Sequence, residues 1–274
     1  MNSPILVLES DAYDNRANVP REWFDAMEAL PEAESRRFLH CCHDEFEGRV
    51  FTSFGECNIC KQFPVPYAWR GVSWPTIRGF DPGVTGAGWI WVSAVTGIEI
   101  LRASRGWADL PDGMENGHLV VWWEYQPREV QIESQVAKVK GWDRGIPIQF
   151  TGIDPSDARQ NTGRGLRTTG ELLEDLGLTP VTKAPNDETA FILLANQDFA
   201  SGRAWIQDCC QNLIRQLRDE VYDSNAKPGA AKRKYARQFH TLSAYKYARM
   251  LEPELLSGKQ AERRQGKTGS KTGY

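Results

Sequence analysis

The sequence lacks several features that would assign it to a broad class of proteins. It has no apolar run of the roughly 18 residues needed to span a bilayer. Its first residues, MNSPILVLESD, include neither a basic segment nor a long apolar one, so we expect no secretion signal. No G-x-x-x-x-G-K-[ST] motif occurs, which excludes a phosphate-binding loop of that type. The six cysteines include two adjacent pairs, unlike a secreted disulfide framework, so we expect a cytoplasmic protein.

The composition is that of an ordinary globular protein. The 274 residues are 41% apolar and 25% charged, enough chain for one large domain or one domain with appendages. The net charge of −3 does not indicate a nucleic-acid-binding protein. The charge is uneven, however, since Lys227–Arg237 and Lys259–Lys271 are rich in basic residues. A local basic surface of this kind is sufficient for binding nucleic acid.

Hydrophobic periodicity changes near residue 76. Before it, Val19–Cys42 has a helical pattern with Pro20 at its start, and residues 48–75 form an aromatic, Pro-rich connector. After it, short strands bounded by Gly, Asp and Asn precede alternating helices and strands. The predicted strands are Ile77–Asp81, Gly88–Val95, His118–Tyr125, Ile148–Ile153 and Thr179–Lys183. The predicted helices are Pro127–Trp142, Thr169–Leu176, Glu188–Asp198, Ile206–Val221 and His240–Leu251.

This order predicts an α/β fold. Three antiparallel strands followed by alternating helix and strand indicate a mixed sheet with helices on its faces. The right-handed crossover rule then places the fourth strand parallel to the first. The result is a ribonuclease-H-like topology.

Two aspartates hold equivalent places in that topology. Asp81 and Asp154 each end a predicted strand and are each followed by proline. Carboxylates are ligands that Mg²⁺ prefers, and phosphodiester cleavage by two metals needs ions about 3.5–4 Å apart. We therefore predict that the two side chains meet and hold two Mg²⁺ or Mn²⁺ ions for catalysis. The alternative is that each Asp-Pro only forms a turn.

Three further residues are candidates for the same site. Asp157 lies three residues after Asp154, and Glu124 ends the third predicted strand. Both are candidate metal ligands, and the alternative for Asp157 is a helix cap or a solvated loop acid. His240 either touches the metals or a phosphate, or caps its own helix.

Basic residues suggest where DNA would bind. Arg159, Arg164 and Arg167 alternate with Gly and Thr in the loop that follows the second aspartate. A denser cluster precedes the last predicted helix and consists of Lys232, Arg233, Lys234 and Arg237. Both sets are candidate phosphate contacts, and the alternative for both is a solvated surface.

The cysteines raise the question of structural zinc. Cys41, Cys42 and His43 precede Cys57 and Cys60, and two cysteines from each group would suit a tetrahedral Zn²⁺ site. The first group has irregular spacing, so ordinary thiols are the alternative.

Several segments, taken in order, resemble the C-terminal nuclease domain of phage terminase large subunits. GFDPG and GIDPS, around Asp81 and Asp154, are similar to the family's two catalytic-aspartate strands. GRAWIQDCCQNLIRQLRDEVYD and FHTLSAYKYARML resemble two of its later helices. DAYDNRANVPREWFDAMEALPEAESRRFL resembles the end of its ATPase domain and linker.

The resemblance implies a domain division and a function. Residues 1–75 would be a linker and remnant of the ATPase domain, 76–252 the ribonuclease-H-like nuclease, and 253–274 a basic tail. The implied activity is metal-dependent endonucleolytic cutting of concatemeric double-stranded viral DNA in the bacterial host cytoplasm. The implied partners are a terminase small subunit, a portal and a separate ATPase domain.

One position departs from the family pattern. The last helix of the family carries an aspartate three residues after its histidine, and here that position is Ser243. Either another acid completes the site, or the chain is a catalytically degenerate DNA-binding or assembly component. A ribonuclease-H-like resolvase-type nuclease is a third interpretation of the same pattern.

Overall fold

The structure is a computed structural model. It describes residues 12–28, 48–83, 86–107, 109–128, 131–143, 145–146, 148–156, 160–161, 166–178, 180–222 and 233–252. Predictions that fall on other residues, including much of the predicted linker and the whole basic tail, lie outside the described part of the chain.

A seven-stranded mixed sheet forms the centre of the molecule. Its strands follow the order β1-β9-β4-β3-β2-β5-β8, and β6 and β7 form a separate two-stranded sheet. The strands are β1 (Ile59–Cys60), β2 (Thr76–Asp81), β3 (Gly88–Ala94), β4 (Leu119–Tyr125), β5 (Ile148–Ile153), β6 (Gln160–Asn161), β7 (Leu166–Arg167), β8 (Val181–Lys183) and β9 (Ala204–Gln207). Strands β2, β3 and β4 are antiparallel neighbours, and β5 runs parallel to β2. The predicted parallel pairing of the first and fourth predicted strands is therefore present.

Helices pack on both faces of this sheet. The α-helices of the described residues are α1 (Arg21–Glu28), α2 (Ile98–Arg102), α3 (Ile132–Trp142), α4 (Thr169–Asp175), α5 (Glu188–Ala200), α6 (Gln211–Asp219) and α7 (His240–Met250). Short 3₁₀ helices cover Ala12–Asn15, Glu56–Asn58 and Arg105–Trp107. None of the helices in these ranges is long and apolar enough to cross a membrane.

Helix α7 lies directly on the sheet because glycines on β2, β3 and β5 let it approach. A Cβ on Gly79 would overlap the carbonyl group of Ala244, and one on Gly88 would overlap the backbone of His240. A Cβ on Gly152 would lie 3.0 Å from the carbonyl oxygen of Tyr247 in the same helix. This close contact fixes the position of the α7 side chains relative to the strand ends.

The opposite face of the sheet is aromatic and packs on α3 and α4. Phe80, Trp89 and Trp91 are fully buried there in a cluster with apolar residues of the two helices. The Phe80 and Trp89 rings stack with centroids 3.9 Å apart. Such large rings contribute strongly to stability through the apolar area that they bury. These tryptophans therefore serve the core.

Two parts of the sheet were not predicted. Strand β9 takes the first two residues of the predicted helix Ile206–Val221, and the helix itself, α6, is present from Gln211 to Asp219. Residues 48–75, predicted as a connector, supply β1 at the sheet edge and the core residues Val50, Phe51 and Phe54. The predicted boundary at residue 75 therefore cuts through packing that joins this segment to the sheet.

Candidate active site

Asp81 is the last residue of β2, and Asp154 directly follows β5, the parallel neighbour of that strand. Gly79 of β2 pairs with Gly152 of β5. Continuing that register by two residues brings Asp81 opposite Asp154, on strands about 4.8 Å apart. Both aspartates belong to the face that α7 covers, because residues two apart on a strand share a face. The backbone register therefore brings the two acids together at the C-terminal ends of β2 and β5.

His240, the first residue of α7, contacts the first of these acids. Its Nδ1 lies 2.8 Å from Oδ2 of Asp81, and the imidazole is buried. The N-cap position of this helix is Phe239, and no side chain caps the helix there. The ring of His240 therefore lies at the candidate site, which was one of its two predicted roles.

Tyr247, about two turns further along α7, contacts the second acid. Its hydroxyl donates to Oδ2 of Asp154 at 2.9 Å. The backbone N–H and the hydroxyl of Ser156 donate to Oδ1 at 2.8 and 2.7 Å. Partial burial opposes ionisation of Asp154, but these hydrogen bonds and the charge of Lys246 hold its pKa below the ordinary value. The carboxylate is therefore charged and oriented at neutral pH.

The two carboxylates share one electrostatic environment. Burial raises the pKa of Tyr247, and the negative charges of Asp81 and Asp154 raise it further. The phenol therefore stays protonated and remains a hydrogen-bond donor. Sequence reasoning did not identify Tyr247 as a site residue, because a tyrosine on a helix face is more often part of the core.

A group of buried charges lies beside Asp154. The Lys246 Nζ donates to Asn186 Oδ1 at 2.6 Å and to Glu188 Oε2 at 3.0 Å. The other oxygen of Glu188 is bound by Arg233. Ser243, at the position of the missing aspartate, has its hydroxyl 3.4 Å from Nη2 of that arginine. Arg233 also lies 3.6 Å from a second carboxylate, that of Glu220, so two cations and two carboxylates surround the serine end of the site.

Arg233 was predicted to bind DNA, and the structure corrects this. Its side chain is only 1% exposed and forms ion pairs with Glu188 and Glu220. A guanidinium buried among carboxylates is not available to a DNA phosphate. The dense basic cluster in the sequence thus includes one residue that belongs to the interior.

Glu124 was predicted as a metal ligand, and the structure gives it another role. Its Oε1 accepts from the backbone and side chain of Asn212, and its Oε2 accepts from the backbone of Leu213, all at 2.8–2.9 Å. These donors form the N-terminus of α6, where a carboxylate stabilises the helix. Burial raises the pKa of Glu124, although these hydrogen bonds oppose the rise. Both of its oxygens are engaged at the start of this helix.

The other predicted DNA contacts and the remaining predicted ligand are only partly described. Arg167 forms an ion pair with Asp175 of α4. Lys234 is exposed, and its Nζ lies 5.3 Å from the centre of the Tyr235 ring. Four of the predicted site residues lie outside the described part of the chain, namely Asp157, Arg159, Arg164 and Lys232.

The zinc hypothesis stays a prediction, because Cys41, Cys42 and His43 are not among the described residues. Of the second pair, Cys57 is exposed and Cys60 is buried. Burial raises the pKa of Cys60 to about 12, so its thiol stays protonated.

The aspartate pair fits a divalent cation. Hard oxygen ligands from one or two carboxylates, completed by water and substrate phosphate, are what Mg²⁺ takes in phosphoryl-transfer sites. Within the described ranges, no group of three or more His, Cys, Asp or Glu side chains is placed to hold a metal. Among the described residues, the donor set is therefore a pair of carboxylates with His240 beside it, smaller than the one predicted for two ions.

Comparison with known proteins identifies the fold. Neither a family model nor a curated protein matches the sequence. Among solved structures, the large terminase of a thermophilic bacteriophage is similar over 87% of this chain, with a TM-score of 0.54 and 16% identity. This chain spans about half of that protein, 53% of its length.

Isolated nuclease domains match over nearly their full length. The nuclease domain of the P22 large terminase covers 76% of this chain and is itself covered to 93%, with a TM-score of 0.51 and 16% identity. The large terminase nuclease of thermophilic phage G20c with bound cobalt covers 74% and is covered to 97%, with a TM-score of 0.50 and 13% identity. The chain therefore has the ribonuclease-H-like fold of terminase nuclease domains, as predicted.

Proposed function

We propose that this chain is a terminase-type nuclease that cuts double-stranded DNA with the help of a divalent metal at Asp81 and Asp154. One observation carries the proposal, namely that Asp81 and Asp154 lie at the C-terminal ends of the neighbouring parallel strands β2 and β5, beneath one helix. The terminase-like fold supports the same conclusion, and one of the similar nucleases was solved with bound cobalt.

The chain's own residues prepare this site for a metal. The α7 side chains hold both carboxylates, His240 at Asp81 and Tyr247 at Asp154, so little reorganisation is needed when an ion binds. The bound metal would polarise the scissile phosphate and lower the pKa of an attacking water. The lowered pKa of Asp154 keeps this ligand charged at the pH where cleavage takes place.

The substrate and partners follow from the same proposal. Concatemeric viral DNA would be the substrate, and a terminase small subunit, a portal and an ATPase domain would be the partners. Residues 1–47 would belong to the link with that ATPase domain. Of the predicted DNA contacts, Arg159, Arg164, Lys232 and the exposed Lys234 remain candidates for binding the phosphate backbone.

Ser243 favours a second candidate function. A serine at the position of the third aspartate leaves the described part of the site with two carboxylates. A catalytically silent component that retains DNA without cutting it would have this composition. The two functions differ in whether the chain breaks phosphodiester bonds.

Cleavage of supercoiled plasmid in Mg²⁺, Mn²⁺ or EDTA separates them. We expect the wild type to nick and linearise plasmid in either metal and to be inactive in EDTA. Asp81→Asn and Asp154→Asn should each lose about 10²-fold or more in rate, the scale of losing one stabilising group in the transition state. Asp112→Asn changes an exposed acid in the loop before β4 and should cleave like the wild type.

Each other result has a defined meaning. DNA binding without cleavage in any metal would support the silent component. Cleavage that persists in both aspartate variants would exclude this pair as the active site. Strong preference for a four-way junction over linear duplex would indicate the resolvase-type nuclease.

A further inference from the structure

Lys246 is a fixed positive charge whose field acts on Asp154. It precedes Tyr247, whose hydroxyl holds Asp154, and its Nζ lies 5.1 Å from the centre of the Tyr247 ring. The residue is 5% exposed, which is rare for a lysine unless it is paired. Its ammonium is held by Asn186 and Glu188, so the charge stays in place.

Ser243, at the position of the expected third carboxylate, lies beside the same group of buried charges as Lys246. Ser243 is 4% exposed and contacts Arg233, whose guanidinium shares Glu188 with Lys246. Two cations and the two carboxylates that pair with them, Glu188 and Glu220, therefore surround the place where a further acid would have drawn in a second metal. Of the two cations, Lys246 is the one whose charge lowers the pKa of Asp154.

We propose that the aspartate pair holds a single divalent cation, and that the Lys246 ammonium supplies the second positive charge. This inference rests on the proposed function and replaces the two-ion expectation for this chain. In the hydrolysis, a water oxygen forms a new bond to phosphorus, one ester P–O bond breaks, and a proton ends on the displaced alkoxide. Lys246 takes no part in proton transfer and stabilises the added negative charge electrostatically.

Charge repulsion gives the proposal a specific signature. A metal at Asp81 and Asp154 lies close to an ammonium that repels it, and the same ammonium favours the anionic transition state. Removing the charge of Lys246 should therefore tighten metal binding while it slows cleavage. A lysine that only supported the fold would give weaker metal binding and slower cleavage together.

Mn²⁺ titration followed by electron paramagnetic resonance, with Mn²⁺ alone as the probe, tests this without DNA. We expect one Mn²⁺ per wild-type chain, lost in Asp81→Asn and in Asp154→Asn. Lys246→Met should bind Mn²⁺ about tenfold more tightly and cleave plasmid about 10²-fold more slowly. Lys246→Arg keeps the charge and should stay close to the wild type in both measurements.

The fold of Lys246→Met should survive, because Glu188 keeps its ion pair with Arg233. A thermal melt checks this, and the double variant Ser243→Asp with Lys246→Met provides a second test. Restoring the acid and removing the ammonium should raise the stoichiometry from one Mn²⁺ to two. A stoichiometry that stays at one in the folded double variant would overturn the proposal.

The remaining outcomes distinguish a failure of this inference from a failure of the proposed nuclease function. Two Mn²⁺ ions in the wild type, or unchanged or weaker binding in folded Lys246→Met, would overturn the inference and leave the nuclease intact. If the second ion of the wild type disappears in Asp157→Asn, that acid is the missing ligand. No Mn²⁺ binding that depends on Asp81 or Asp154 would be a failure of the proposed function.

Discussion

Asp81 and Asp154 are each held by one side chain of helix α7. His240 contacts the first and Tyr247 the second, seven residues apart on one face of the helix. The aspartates were predictable because each ends an apolar strand and precedes a proline. The role of Lys246 was not, because a lysine in a helix is usually solvated, and its carboxylate partner lies 58 residues away in the sequence.

Glu220 provides a prediction at the same scale. It is fully buried, accepts from the backbone N–H of Tyr235 at 2.8 Å, and lies 3.6 Å from Arg233. Burial raises its pKa to about 6 despite that arginine. Because the folded state holds the proton of Glu220 more tightly than the unfolded state does, protonation of Glu220 favours folding. This contribution to stability is fully present below the pKa of the unfolded state and is lost as the pH rises through about 6.

Replacing this acid should therefore change the pH dependence of stability. We expect Glu220→Gln to be more stable than the wild type above about pH 6, by about 1–2 kcal/mol, with the difference shrinking toward about pH 4.5. Urea unfolding over this pH range measures it, with Glu174→Gln, an exposed acid, as the control. A constant difference at every pH would show that Glu220 does not titrate in this range.

At the scale of elements, the contact between α7 and the sheet positions the site. The strands β2, β3 and β5 each place a glycine beneath the helix, and Gly79 is the most closely packed of the three. Glycine within a strand is normally unfavourable, and its use here marks close approach of another backbone. The sequence contains this signal, although it does not say which helix approaches.

Gly79→Ala should therefore be strongly destabilising. The new Cβ would overlap the carbonyl of Ala244, and overpacking against backbone costs about 3 kcal/mol or more. Gly141→Ala is the matched control, because it lies at an exposed position of helix α3 with nothing within 4 Å of the new methyl group. The control should be stabilised by about 0.5–1 kcal/mol in denaturant unfolding. Equal stabilities of the two variants would contradict the close packing of α7.

Glu124 tests the distinction between a helix-stabilising acid and a metal ligand. Glu124→Ala removes the acceptor of two backbone N–H groups at the start of α6 and should cost about 1–2 kcal/mol of stability. Mn²⁺ affinity measured under folding conditions should not change. A large loss of Mn²⁺ binding with unchanged stability would restore the prediction that Glu124 is a ligand.

At the scale of the whole molecule, the sheet order follows rules that apply to any chain. Antiparallel neighbours, a right-handed crossover and strand-end acids were enough to predict the fold and the proximity of the two aspartates. Strand β9 was missed because its four residues are followed closely by an amphipathic helix, so Ile206 fits the helical period of Leu213 and Leu217. Strand β1 has only two residues, too few to give a periodic signal.

The pairing of charges beside the site could not be predicted from the sequence for a different reason. Arg233 and Lys246 are buried where Glu188 reaches both of them from another helix. In the local sequence Arg233 and Lys246 look like ordinary solvated basic residues. Only the packing of the folded chain brings them together with Glu188. Both the corrected prediction for Arg233 and the inference about Lys246 depend on this packing.

Anomalous diffraction from a crystal soaked in Mn²⁺ tests the central claim most directly. We expect a manganese peak between Asp81 and Asp154, roughly 2.0–2.6 Å from an oxygen of each carboxylate. Mn²⁺ bound elsewhere in the crystal with no peak at this pair would contradict it, as would carboxylates more than roughly 8–10 Å apart, too far to share the ions of one site.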